Sequence, residues 1–443
     1  MPETAAPPEM IVPAPSAQTP PTAAPQQAPQ QASRMGWFVL IMLMCVYSFS
    51  WMDRFLLVIL IDPISKDLHV SNTQIGLLTG FGASLLYSLA GFPIARLADR
   101  ASRTRIVSGV LGIWSGLTVA TAAVGSFFTL LLARFGIAIA SAGCSPAAYS
   151  LISDYFPARS RGTAIAIYSL GISIGTWAGL SLGGWAADAL GWRHAYLLLG
   201  IPGVLFAIVL AFVLKEPGRG RFDTGGEEVH RHFTAREASG FFLKNRGFMA
   251  IAFGFGLIAC ATSAFENWIP TYLIRADGLS ATEVGAISGL FQGLTGIVGA
   301  LGFGILADVL ARRDERWYVW IPLLCTAVTT PLIVLFFHLP QKGAYTCYFF
   351  IELFVSGYSA PLFAASQMLL PPRLRALGMA TVLFVLNVVG QGMGPFLTGF
   401  ISDRIGTGPA GGLGLSIALM QVFGALGAGI LLFAVPAFSK REG

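Results

Sequence analysis

The chain has 443 residues, 55% of them hydrophobic and 11% charged, with a mean hydropathy of +0.69. Soluble domains carry about 25% charged residues, so this composition excludes an ordinary cytosolic enzyme and a disordered scaffold. The net charge of +6 does not point to nucleic acid. The basic residues recur in short groups between long apolar runs and form no single patch.

Residues 1–34 hold nine prolines, five glutamines and no aromatic residue. No packed core can form from that composition, which predicts a disordered tail and not a signal peptide. Twelve apolar segments follow, at 36–61, 73–97, 105–124, 127–153, 161–188, 193–214, 246–274, 282–310, 317–338, 343–370, 374–403 and 412–436. Each has the length of a helix that crosses a bilayer. The expectation is an all-α polytopic membrane protein with 12 transmembrane helices. Its organisation reads as a tail (1–34), a six-helix bundle (35–214), a charged linker (215–245), a second bundle (246–437) and a short tail (438–443).

Charge asymmetry sets the orientation. With the tail, the even-to-odd loops and the C-terminus on one side, that side holds 21 of the 28 Lys and Arg residues. The other side holds five: Lys66, Arg193, Arg275, Lys342 and Arg404. Cytoplasmic loops carry the excess, so both termini are expected in the cytoplasm of a cell (inner) membrane.

The halves repeat at an offset of about 210 residues. Leu97-Ala98-Asp99 with Arg103 is echoed by Leu306-Ala307-Asp308 with Arg312. Gly175, Gly179, Gly184 and Asp188 are echoed at identical spacing by Gly390, Gly394, Gly399 and Asp403, and Pro146 and Pro157 by Pro361 and Pro372. Three matches in register argue for two six-helix pseudo-repeats, a transporter design that places its substrate site at the midplane between halves.

The run from Ala95 to Arg105 (ARLADRASRTR) resembles the loop 2–3 signature of the major facilitator superfamily, with Ala95 and Ser102 in place of two usual glycines. Gly304 through Arg313 is its weaker second copy. Trp51-Met52-Asp53-Arg54, Arg134-Phe135-Gly136 and Ser141 through Ser145 are similar to the Spinster branch, whose members are linked to lysophospholipid and sphingolipid export. The resemblance implies a secondary-active transporter and not an enzyme, with alternating access between two halves and proton coupling. It implies an amphipathic or anionic small substrate, the lipid bilayer and protons as partners, a functional monomer, and no cofactor. An organic-anion symporter of the same superfamily is the alternative, and a membrane-embedded lipid enzyme the remoter one. No histidine lies mid-membrane to act as a catalytic base. None of the five lysines follows a glycine, so a phosphate-binding loop is absent.

Ionisable groups inside a bilayer cost on the order of 2.5–3.5 kcal/mol and are usually functional. Five stand out: Asp53 and Arg54 in the first helix, Arg134 in the fourth, Glu266 in the seventh and Glu352 in the tenth. Asp53 is the expected proton carrier, with a structural ion pair as the alternative. Arg134 is a fixed positive charge that either pairs with Asp53 or holds an anionic head group. Arg54 points about 100° away and serves another contact. Ser141 stands where Spinster-like proteins have Glu, so one titratable group is missing. Glu266, beside Trp268, reads as interfacial or as a cavity contact; Glu352, Asn387 and Gln391 are further cavity candidates. By resemblance Asp99, with Arg100, Arg103 and Arg105, latches the halves on the cytoplasmic side, and Asp308 with Arg312 is the second copy. No metal site is expected.

Overall fold

The computed structural model describes residues 34–218, 235–408 and 410–439. Among these there is no strand. The helices are α1 (Arg34–Leu68), α2 (72–100), α3 (Arg103–Thr121), α4 (Phe127–Tyr155), α5 (Ala158–Leu190) and α6 (Trp192–Val213). A linker helix, Ala235–Lys244, leads to α7 (Arg246–Asp277), α8 (Ala281–Ala311), α9 (Trp317–Phe336), α10 (Gln341–Met368), α11 (375–405) and α12 (Leu413–Leu432). Ten of the twelve are long and apolar enough to cross a membrane by length and composition. The other two are α2, charged at Arg96, Asp99 and Arg100, and α3. α3 buries Ser108, Ser115, Thr118 and Thr121, so its polarity is turned into the bundle. The outward apolar surface is extensive: Phe212 is 84% and Phe433 75% exposed, as befits side chains that face lipid.

Two boundaries differ from the sequence expectation. α1 does not stop at 61 but runs through Pro63 to Leu68. Its last turns are held by contacts to the second half, described below. The charged linker contains a helix whose Phe242 is buried against Phe248, with ring centroids 5.0 Å apart.

The repeated glycines do matching work in the two halves. Gly175 and Gly179 seat α5 on α1, where a Cβ at Gly179 would stand 2.5 Å from the Met52 carbonyl oxygen. Gly390 and Gly394 seat α11 on α7 against Ala259 and Cys260. The third glycine of each set crosses to the other half: Gly184 meets Ala281 of α8, and Gly399 meets Asn72 of α2. Small residues allow such backbone approach, which is how helices associate without a hydrophobic drive. The α2–α11 and α5–α8 crossings thus join the halves. Three of these four helices carry a π-helical stretch, at Leu77–Phe81, Gly289–Thr295 and Leu386–Met393. Such stretches recur at functional positions in helices.

Candidate transport site

Asp53 of α1 and Arg134 of α4 meet in the core of the first half. Both are buried, at 5% and 6% exposure. Arg134 donates from Nη1 to Asp53 Oδ2 at 3.1 Å, and the Thr118 hydroxyl of α3 donates to Oδ1 at 2.6 Å. Both carboxylate oxygens are therefore satisfied, while Arg134 keeps a buried Nε–H with no partner. A cavity of about 10 Å³ opens beside the pair, lined by Phe49, Met52, Asp53, Trp114, Thr118 and Leu199. That is about the space of one water.

Arg54, about 100° further around α1, reaches the other half. Its Nη2 donates to Gln391 Oε1 of α11 at 2.6 Å, and its guanidinium lies 5.3 Å from the Trp51 ring centroid. Glu266 of α7 is within charge range of Arg54. This corrects the interfacial reading of Glu266. Trp268, the supposed boundary marker, is fully buried and donates its indole N–H to the Pro395 carbonyl at 2.9 Å. Gln391 and Asn387 both lie on the π-helical stretch of α11 and are half-buried. Glu352 is buried within α10. Ser141 closes the first piece of α4 and donates its hydroxyl back to the Ala138 carbonyl at 3.1 Å. It makes no contact with the Asp53–Arg134 pair.

The two ends of the bundle differ. At the end bearing the loop after α1, hydrogen bonds cross between halves. Arg275 of α7 donates to Asp62 of α1 at 2.8 Å and to Asn72 of α2 at 3.0 Å. Asp403 of α11 accepts the backbone amides of Asn72 and Thr73 at 3.0 and 2.7 Å. Asp188 of α5 accepts the amide and the hydroxyl of Thr282, both at 2.7 Å. Each carboxylate thus sits at the N-terminus of a helix of the other half, where free amides and the helix dipole favour an anion.

At the arginine-rich end no such bond joins the halves among the described residues. Arg103 is a clamp within the first half, bonded to Asp154, to Ser150 and to Glu216, the last at 2.8 Å. Asp308 accepts from Tyr318 of α9 in its own half at 2.9 Å. Arg100, Arg105 and Arg312 are exposed. The side chain of Asp99 lies outside the described residues. Burial pushes the Glu216 carboxyl up, but the Thr104 amide, Arg103 and Ser102 outweigh it and hold the group below the usual carboxylate range.

The sequence singled out Asp53, Arg54 and Arg134 and offered the Asp53–Arg134 pairing as one of two alternatives, but missed Thr118 and the Asp62–Arg275 contact. Thr118 offered no signal, since hydroxyls are common in membrane helices. Asp62 and Arg275 stand at segment ends, where charges are expected anyway. Asp188 and Asp403 were visible as the matched ends of the glycine repeat, and that match was the available clue to their shared role.

A family model described as the Major Facilitator Superfamily matches residues 43–395. An MFS-type efflux pump of Mycolicibacterium smegmatis is 34% identical over 90% of this chain and 93% of its own length. A sphingosine-1-phosphate transporter of Danio rerio, SPNS2, is 26% identical over 80% of this chain and 74% of its own. A crystal structure of a bacterial homologue of the human lysosomal transporter Spinster, in an inward-facing and unoccupied conformation, superposes with a TM-score of 0.84. It is 27% identical and covers 92% of this chain and 98% of that one. With the twelve-helix fold, the repeat and the polar centre between the halves, these matches make the chain a multi-pass membrane transporter that belongs to the Major Facilitator Superfamily, on its Spinster-like branch.

Proposed function

We propose that this transporter is secondary-active and proton-coupled, and moves an amphipathic molecule with an anionic head group by alternating access. The observation that carries the reading is Arg54. It is a fixed charge at mid-depth, hydrogen-bonded to a neutral amide of the opposite half. An anionic head group arriving from the arginine-rich end can take that guanidinium from Gln391, which loosens a link between the halves as it binds. Arg134, already paired, is the less available cation.

The sealed end is the outer one if the arginine-rich loops face the cytoplasm, which makes the present conformation inward-facing with both termini cytoplasmic in the inner membrane. The similarity to an inward-facing Spinster homologue supports that sense. Asp53 is the proton carrier of the first half. Its carboxylate is held by Arg134 and Thr118, so that pair has to part for Asp53 to change partners. Glu266 and Asn387 complete the polar lining around Arg54. The loop 2–3 arginines and Asp99, with Asp308 and Arg312, make the cytoplasmic closure of the opposite state. The protein functions as a monomer.

The test is flux in proteoliposomes loaded with a pH dye. A lysophospholipid presented on one side should cross faster than in empty vesicles and move protons with it. Arg54→Gln should abolish both. If an organic acid drives the proton movement and a lysophospholipid does not, the chain is an organic-anion symporter of the same superfamily.

A further inference from the structure

A second buried polar cluster lies in the core of the other half, away from the Asp53–Arg134 pair. Gln292, on the π-helical stretch of α8, donates from Nε2 to the Tyr348 hydroxyl of α10 at 2.9 Å and toward the Glu266 carbonyl of α7 at 3.3 Å. Ser288 precedes Gln292 by one turn of α8, and Glu352 follows Tyr348 by one turn of α10 on the same face. All four side chains are at least nine-tenths buried. Three acceptor-bearing atoms here have no partner: Glu352 Oε1, Gln292 Oε1 and Ser288 Oγ. Glu352 was singled out as an intramembrane carboxyl, but nothing in the Arg54 or Asp53 sites uses it.

No hydrogen bond reaches Glu352 Oε1. The Gln292 amide hydrogens go to Tyr348 and Glu266, and the Ser356 hydroxyl goes to the Glu352 backbone carbonyl. The titratable groups within charge range of Glu352 are Glu266, Tyr348 and Tyr358, and none is a cation. α9, packed along α10, contributes no charged residue, and the charges of α8, Glu283 and Asp308, stand at its two ends. Buried carboxylates need a counter-charge or a full set of donors, and Glu352 has neither. Adding one proton removes its charge and gives the carboxyl an O–H that can donate to an unpartnered oxygen of the cluster.

We propose that Glu352 is a proton-binding site of the second half, protonated in this conformation. The site is also placed to sense the conformational cycle. The stretch that holds Gln292 is the one whose Gly289 and Gly293 pack on Ser181 and Trp177 of α5, across the halves. Any rocking at the α5–α8 crossing moves Gln292 relative to Tyr348 and hence the surroundings of Glu352. The inference deepens the proton-coupled reading, but its readout needs no substrate.

The test is infrared spectroscopy of the full chain in lipid nanodiscs, reading the carbonyl stretch of protonated carboxylic acids at neutral pH. The wild type should show such a band, Glu352→Gln should remove it, and Asp53→Asn and Glu266→Gln should keep it. If Glu352→Gln does not fold, Glu352→Asp retains an acid and must shift the band. The proposal is overturned by a wild type with no acid band, by a band that survives Glu352→Gln or stays unshifted in Glu352→Asp, or by one that is lost in Asp53→Asn. Lysophospholipid flux without the band would refute this site and leave transport standing; the band without flux would do the reverse.

Discussion

Asp403 of α11 accepts both the backbone amide and the hydroxyl of Thr73 on α2, at 2.7 and 2.6 Å, and so ties the second half to the start of a helix in the first. Asp188 does the same for Thr282 in the reverse sense. The sealed end is therefore closed twice, by two copies of one device. Asp403→Asn should weaken that closure by about 1–2 kcal/mol, a roughly 5–30-fold shift in the population of the closed end. Distances between spin labels on the two halves at that end should lengthen, and Asp188→Asn should act alike. An unchanged distribution in both variants removes the carboxylates from the closure.

Glycine positions separate closure from folding. A Cβ at Gly179 meets the Met52 backbone within the first half, whereas one at Gly184 meets the Ala281 backbone of the other half. Gly179→Ala should lower thermal stability by about 1–3 kcal/mol through overpacking. Gly184→Ala should instead open the sealed end, with a smaller loss of melting temperature. Melting curves and label distances on the two variants check the contrast.

The Asp53–Arg134 pair is buried, so breaking it by one partner leaves an uncompensated charge. Asp53→Asn should cost about 3–5 kcal/mol, and Asp53→Asn with Arg134→Gln should recover much of that. The coupling in a double-mutant cycle reports the structural share of the pair. Proton flux in the folded double variant then reports the other share: flux at the wild-type rate would leave Asp53 as a structural residue only.

Glu216 gives a pH signature outside the membrane. Its carboxyl is held below the ordinary range. Its stabilising share is thus present above the unfolded glutamate value, about 4.3, and is lost as pH falls through the lower folded one. Glu216→Gln should lose about 1 kcal/mol at neutral pH, since the group is partly exposed and salt screens it. The melting-temperature gap between wild type and variant should narrow as the pH is lowered toward 4 and below. A gap independent of pH contradicts the clamp.

Twelve segments, the two-fold repeat and three of the central charges were legible because each leaves a local mark: a run of apolar residues, a fixed spacing, a charge where charges are costly. The partners were less legible because tertiary packing chooses them. Glu266 was read against Trp268, and an indole marks a membrane boundary only when it is exposed; here a carbonyl of α11 takes its N–H inside the bundle. Arg103 carries a signature shared with Asp99, yet Asp154 and Glu216, at 51 and 113 residues' separation, hold it within its own half. The continuation of α1 to Leu68 was hidden by Asp62 and Pro63, which read as a helix end. Asp62 is instead kept inside by Arg275 and Lys66.

The proposed cycle has the two halves alternate, with protons biasing the alternation. The direct measurement is a pair of label distances on one protein in nanodiscs: Lys66 to Thr407 across the sealed end, and Arg159 to Arg313 across the arginine-rich end. At acid and neutral pH, with and without a lysophospholipid, the two distances should move in opposite directions. The pH dependence of that movement should be lost when the Asp53–Arg134 pair is replaced by Asn and Gln. Two distances that stay fixed under every condition, or that lengthen and shorten together, would contradict it.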